Sequence, residues 1–247
     1  MNIIIVGALG RMGQNVKAAA ERAGAGVSAL VDINYYGTKT SDGEYSHISE
    51  VNVPSDVIID FSFHGATADV VKYAAEKKIP VIVATTGHTD GEKQNIFDAA
   101  KETAVFYSGN MSLGIATLCE TVKKVLSVFD NADVEIVETH HNRKLDAPSG
   151  TALMLFDAVK EVRPDAVAHC GRNGNCKRTK DEVGISSIRS GNIVGIHEVM
   201  ICTDFEQITL RHEAFDRALF ADGAIKAAEY LVGKGAGFYT MKDVLKG

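Results

Sequence analysis

A short apolar run at residues 3–6 stops at Gly7-Ala8-Leu9-Gly10-Arg11-Met12-Gly13, and a helical pattern opens at Met12. Few folds let a strand end on glycine and resume as a helix within a few residues. Glycine permits the tight turn and lets the backbone come close to a ligand. The helix that follows offers N–H groups and the positive end of its dipole to an anion. The spacing is G-x-x-G-x-x-G, because Leu9 stands where the commoner G-x-G-x-x-G pattern has its second glycine. Alone, such a string says little. Its force comes from the strand before it, the helix after it and an acid closing the second strand.

That acid is Asp32, which follows Val27-Ser28-Ala29-Leu30-Val31. Its carboxylate suits the hydroxyls of an adenosine ribose and repels a 2′-phosphate. Ile33 comes next, where an arginine would help to hold NADP, and Lys39 and Arg11 are the cations that stand in for it. The balance favours NADH over NADPH. A strand-ending aspartate that only caps a turn is the competing reading.

The same rhythm continues. Residues 3–6, 27–31, 57–61, 81–84 and 104–107 are short runs rich in valine and isoleucine, which suits strands buried on both faces. Helical stripes at 12–23, 66–77 and 92–101 lie between them. Alternation of this kind predicts an α/β fold, a Rossmann-type doubly wound parallel sheet. The turns Ala84-Thr85-Thr86-Gly87 and Ser108-Gly109-Asn110-Met111 close the fourth and fifth strands on the edge that carries the Gly7 turn. Each is also what an ordinary strand-to-helix turn looks like.

Beyond residue 110 the pattern changes. A long helix (113–128), a strand (133–138), a charged turn and a helix from Ser149 lead through a polar loop (171–181) to runs at 185–189, 193–202 and 207–211 without long helices between them. This second region reads as an α+β domain with an antiparallel or mixed sheet. A last helix at 215–232 is broken by Gly233, Gly235 and Gly237. The expected division is a dinucleotide-binding domain over 1–111, completed by about 216–247, and a substrate-binding and oligomerisation domain over 112–215.

Composition narrows the partners. A net charge of −6 does not favour a nucleic-acid surface, and no apolar run nears the roughly 20 residues that span a bilayer. The start of the chain has no basic leader, so a cytoplasmic protein without membrane partners is expected. Four cysteines form no C-x-x-C pair. Cys170, Cys176 and His169 read as a loop with free thiols in a reducing compartment rather than as a metal site.

The densest chemistry is Glu138-Thr139-His140-His141-Asn142-Arg143-Lys144-Leu145-Asp146-Ala147-Pro148-Ser149-Gly150-Thr151-Ala152. Imidazoles that exchange protons near neutrality, fixed cations and a helix start at Ser149-Gly150-Thr151 fall in one connection. Together they fit a small substrate bearing carboxylates. Adjacent strand residues face opposite ways and no third ligand is evident, so no metal is expected at His140-His141. A solvated charged turn is the bland alternative, with Asp146 pairing a neighbouring cation.

That string, with the Gly7 turn, resembles the 4-hydroxy-tetrahydrodipicolinate (dihydrodipicolinate) reductase family, and the likeness extends over essentially the whole chain. It takes in Asp60-Phe61-Ser62, Thr85-Thr86-Gly87, Asn110-Met111-Ser112-Leu113-Gly114, Arg189-Ser190-Gly191-Asn192-Ile193-Val194-Gly195 and Tyr239-Thr240-Met241-Lys242-Asp243-Val244-Leu245. The resemblance implies hydride transfer from NADH or NADPH to a small cyclic dicarboxylate in lysine and diaminopimelate synthesis. It implies His140 as acid/base and Lys144 as proton donor and substrate contact, with His141, Gly150 and Thr151 binding a substrate carboxylate. It implies Gly7, Ala8, Leu9, Gly10, Arg11, Met12, Asp32, Ala84, Thr85, Thr86, Ser108, Gly109, Asn110 and Met111 as the cofactor contacts. It also implies a homotetramer built through the second domain's sheet.

Ala84 departs from the family's usual glycine, which is tolerable if its φ is negative. A redox-sensing module without turnover would keep the Gly7 turn and Asp32 but has no use for residues 140–151. An aspartate-family dehydrogenase would share the fold.

Overall fold

The computed structural model describes residues 1–38 and 41–246. Lys39, the candidate cation after Asp32, lies outside the described residues. The chain forms two compact units, Met1–Ser112 with Arg217–Gly247, and Leu113–Asp216.

The first unit begins with β1 (Asn2–Val6), α1 (Arg11–Arg22), β2 (Gly26–Val31), β3 (Glu44–Tyr45), β4 (Val57–Asp60), α2 (His64–Lys77), β5 (Val81–Val83), α3 (Asp90–Ala99) and β6 (Ala104–Tyr107). The apolar runs are strands because both of their faces are covered. Ile4, Val6, Ile58, Val81, Val83 and Val105 share a core with Val70, Val71, Ala74 and Ile96 of α2 and α3. The alternate residues Ile3, Ile5, Ile59, Ile82 and Phe106 are equally buried. The helices begin and end within two residues of the periodic stripes. Thr89 starts α3 with a capping box, its hydroxyl accepting the Glu92 N–H while Glu92 accepts the Thr89 N–H.

The second unit runs α4 (Leu113–Leu126), β7 (Asp133–His140), α5 (Gly150–Val162), β8 (Val167–Cys170), β9 (Glu182–Arg189), β10 (Gly195–Cys202) and β11 (Gln207–Ala214). Its sheet has the order β11-β10-β7-β9-β8. β10 is antiparallel to both β7 and β11, while β9 is parallel to β7 and β8, so the sheet is mixed. Strict alternation drives it. Val134, Ile136, Val183, Ile185, Val199 and Ile201 face the helices and join a core with Ile115, Val122, Leu155 and Val159. Residues 171–181 form the connection between β8 and β9.

The chain then rejoins the first unit through α6 (Ala218–Leu231), β12 (Gly237–Tyr239) and α7 (Met241–Val244). β12 adds a parallel edge strand to β6 and completes seven strands in the order β12-β6-β5-β4-β1-β2-β3. α6 packs on α1. Gly223 lets α6 come in so close that a methyl group there would collide with the Met111 carbonyl. The glycines at 233–237 end the helix as expected, but Gly237 opens a strand that no periodicity announced. β3 and β8 went unannounced for the same reason, being two and four residues long.

Candidate active site

In a parallel sheet every strand points its carboxyl end to one edge, and β1 is where the winding reverses, with β2 and β3 on one side and β4 to β6 on the other. The Gly7 turn lies there. Gly7 has φ +77°, and a Cβ on it would stand 2.7 Å from the Phe61 carbonyl oxygen beyond β4. A Cβ on Gly13 would stand 2.2 Å from the Gly7 oxygen. The first glycine therefore allows the turn and its approach to β4, and the third allows α1 to seat against the turn. The Gly7 and Ala8 N–H groups both donate to the Val31 carbonyl, at 2.9 and 3.1 Å.

Asp32 follows β2 directly. One carboxylate oxygen accepts the Leu9 N–H at 2.9 Å, and the other accepts the Asn34 N–H at 3.0 Å and the Asn34 side-chain amide at 2.8 Å. It does cap a turn, as the bland reading has it. It also buttresses the glycine loop and lines a cavity of about 390 Å³ with Gly7, Gly10, Ile33, His47, Phe63 and Asp69. Among the described residues that line this cavity there is no lysine or arginine. A main-chain cradle that side chains would fill, beside a carboxylate and apolar walls, is chemistry that fits a dinucleotide.

Of the other candidate cofactor residues, Arg11 is exposed and Met12 half-buried at the start of α1. Ala84, Thr85 and Thr86 follow β5, while Ser108, Gly109, Asn110 and Met111 follow β6. They share the edge but not the cavity lining. Lys78 is the one non-glycine residue with positive φ among those described, so Ala84 sits at negative φ, where alanine is at ease. Ala84 donates its N–H to the Asp60 carbonyl at 3.0 Å. Ser108 Oγ donates to the Asn110 carbonyl at 2.6 Å, which folds the turn before Met111.

Sequence reasoning passed over a buried polar chain behind this edge. Asp60 accepts from the Ser62 hydroxyl and N–H and from the Thr67 hydroxyl. Thr67 meets His88 Nε2 at 3.0 Å, and His88 Nδ1 meets the Tyr107 hydroxyl at 3.4 Å. Burial raises the Asp60 carboxyl above its ordinary range despite those donors, and burial lowers His88.

In the second unit β7 runs two residues past its expected end, so His140 closes it, and His141 lies just outside. Alternation places Glu138 and His140 on the buried face. Glu138 is 0% exposed, and both of its oxygens accept hydrogen bonds. One oxygen accepts the Ser149 N–H at 3.1 Å and Arg189 Nη2 at 2.7 Å. The other accepts His140 Nδ1 at 2.5 Å and Arg189 Nη1 at 2.9 Å. Burial alone would raise this carboxyl; the His140 and Arg189 donors outweigh it and hold it far below the usual range. Arg189 also donates to the Asp146 carbonyl at 2.6 Å.

Ser149 caps α5, its hydroxyl accepting the Ala152 N–H at 3.2 Å. The same hydroxyl lies 3.2 Å from Nε2 of His197 on β10. Lys144 is half-buried and pairs with Asp146 at 2.8 Å. The segment after β7 is laced to the one after β9: His141 N–H to Ile193 O at 2.8 Å, Ser190 N–H to His140 O at 2.8 Å, and Arg143 to the Asn192 side chain at 2.6 Å. One network thus joins His140, the α5 start at Gly150-Thr151 and, through Asp146, Lys144. Glu138, Arg189 and His197 were not singled out from sequence as site residues. The alternation of β7 and β10 was the available signal, since it puts ionisable groups on faces otherwise filled by valine and isoleucine. Among the described residues no group of three histidine, cysteine or acidic side chains is arranged to hold a metal ion, and no helix is long and apolar enough to cross a membrane.

Comparison with known proteins covers both units. Residues 1–111 match the family model described as dihydrodipicolinate reductase, N-terminus, and residues 114–245 match the one described as dihydrodipicolinate reductase, C-terminus. The chain is 44% identical over 249 residues to a 4-hydroxy-tetrahydrodipicolinate reductase of Caldanaerobacter subterraneus subsp. tengcongensis, covering 100% of this chain and 98% of that one. A reductase of the same description from Clostridium novyi is 39% identical over 247 residues, covering 99% and 98%. Among solved structures, a dipicolinate-bound dihydrodipicolinate reductase from Paenisporosarcina sp. TG-14 superposes with a TM-score of 0.81 over 97% of each chain at 22% identity, a likeness of fold.

Proposed function

Because this chain belongs to the dihydrodipicolinate reductase family and is a nicotinamide-dependent reductase of 4-hydroxy-tetrahydrodipicolinate, we propose a division of labour between its two units. Residues 1–112 with 217–246 bind the dinucleotide, and residues 113–216 bind the substrate. Neither the redox-sensor reading nor the aspartate-family dehydrogenase reading gains support from the relatives.

The observation that carries this reading is the single hydrogen-bonded cluster joining His140, the start of α5 and Lys144 through Asp146. An anionic substrate meets there a helix dipole, an ammonium and an imidazole, which orient it and offset its charge. The substrate class is a small cyclic dicarboxylate of the kind dipicolinate represents. One carboxylate rests on the Gly150-Thr151 helix start and His141. Lys144 leaves Asp146 for the substrate and delivers the proton, with His140 as acid/base partner.

The nicotinamide, when bound, supplies the hydride. Gly7, Ala8, Leu9, Gly10, Arg11 and Met12 cradle its pyrophosphate. Asp32 takes the adenosine ribose, and the 84–86 and 108–111 turns hold the nicotinamide end. NADH is preferred to NADPH. A 2′-phosphate beside Asp32 would meet Asp32 and Asp69 in a cavity whose described lining has no lysine or arginine. The four cysteines are free, which suits a reducing cytoplasm.

The test is turnover of the product of dihydrodipicolinate synthase, followed by loss of reduced-cofactor absorbance. Wild type should use NADH with the higher kcat/KM, and Lys144→Ala should lose about 10²- to 10⁴-fold in kcat. Unchanged turnover in Lys144→Ala removes the role given to that side chain, and cofactor binding without turnover in wild type would support the sensor instead.

A further inference from the structure

We propose that Glu138 is a positioning residue, clamped by Arg189, whose two oxygens fix the proton-carrying imidazole of His140 and the helix start at Ser149 in one frame. The inference rests on the roles proposed for His140 and for the α5 start, and it adds what sets them relative to each other.

Both oxygens of Glu138 are taken by donors from His140, Arg189 and Ser149, with the Ser187 side chain a further partner, so it has no capacity left for substrate. Being fully buried and fully occupied, it does not itself exchange protons with a ligand. What it does is assign roles. An ionised carboxylate only accepts, so His140 Nδ1 is the donor, and Nε2 becomes the nitrogen that gains and loses the proton. Gly195 on β10 keeps that nitrogen uncovered, since a Cβ there would stand 3.2 Å from Nε2. The other oxygen holds the Ser149 N–H and so sets the start of α5 by the same side chain. Arg189 binds both oxygens at once, fixing the carboxylate plane as a lysine could not. Three strands share the device: β7 gives Glu138 and His140, β9 gives Arg189, and β10 gives Gly195 and His197.

The experiment compares wild type, Glu138→Gln, Arg189→Lys and His140→Gln by the pH profile of kcat/KM, the kcat and KM split, thermal unfolding and ¹⁵N spectra of histidine-labelled protein. The charged or titratable groups around His140 are Glu138, Arg189, His197 with His212 beyond it, Lys144 and Asp146, and Glu138→Gln changes only the first. A glutamine offers one acceptor oxygen and one donor group, so it cannot receive all of these bonds. In Glu138→Gln the fixed tautomer of His140 should be lost from the ¹⁵N spectra, and kcat should drop about 10²-fold or more with a raised KM. Should that variant fail to fold, Arg189→Lys keeps the charge and should show the same changes in smaller measure. A folded variant with wild-type His140 spectra and wild-type kcat overturns the proposal. Full turnover in His140→Gln would overturn the role of His140 itself, a result separable from the spectra.

Discussion

His197 sits edge-on to His140, ring centroids 5.1 Å apart, and is almost wholly buried. Burial, and secondarily the neighbouring His140, push its pKa down to about 4. The folded state therefore resists a proton that the unfolded chain accepts near its ordinary value of about 6.5. As pH falls from about 6.5 to about 4, the unfolded state binds more protons and stability is lost; above that window the penalty is absent. Urea midpoints measured across it should decline toward acid, and His197→Asn should flatten part of the decline. An unchanged slope would show that the acid sensitivity lies elsewhere. At this scale the sequence is legible where a residue type has one physical use. Gly7 and Gly13 stand where a Cβ would collide, and Asp32 stands where β2 meets the edge proposed to hold the dinucleotide. Glu138 was harder to find, because a glutamate in a charged string is usually solvated, and only the register of β7 shows that this one is not.

Secondary elements were readable in proportion to what they bury. β1, β4 and β5 are apolar but for Asn2 and Asp60 and, past Asn2, buried on both faces, and the helices carry clear stripes. β3 pairs through two residues, β12 through three, and β8 is a largely exposed edge strand. None holds enough side chains on one face to leave a period. The start of α5 is the element with most bearing on the site. Ser149 caps its first turn, touches His197 and gives its N–H to Glu138. Ser149→Ala keeps the backbone donor but loses the cap, which should cost about 1 kcal/mol in chemical unfolding. It should raise KM for the dicarboxylate more than it lowers kcat, because the loosened turn is the one assigned to hold a carboxylate. Equal loss in both would place Ser149 nearer the proton transfer than to binding.

For the whole molecule, the mixed sheet has one face filled by α4 and α5 and an opposite face bearing Val137, Ile196 and Met200, half-buried, and Ile188, 47% exposed. We propose that this face carries the homotetramer that the resemblance implies. Sedimentation equilibrium at micromolar concentration should give the mass of four chains, and Ile188→Glu with Met200→Glu should reduce it. A wild-type monomer would refute the assembly. The two-unit plan was legible from the change of rhythm near residue 110, and the return of the chain only from the closing helix. β12 and α6 belong to the first unit yet come after the whole of the second in the chain. On a ribosome, the first unit therefore waits with the flank of β6 bare and α1 lacking its companion helix until more than a hundred intervening residues have been made. Any chain halted before residue 217 is left with an open sheet margin, a surface for chaperones to recognise and for neighbouring copies to join.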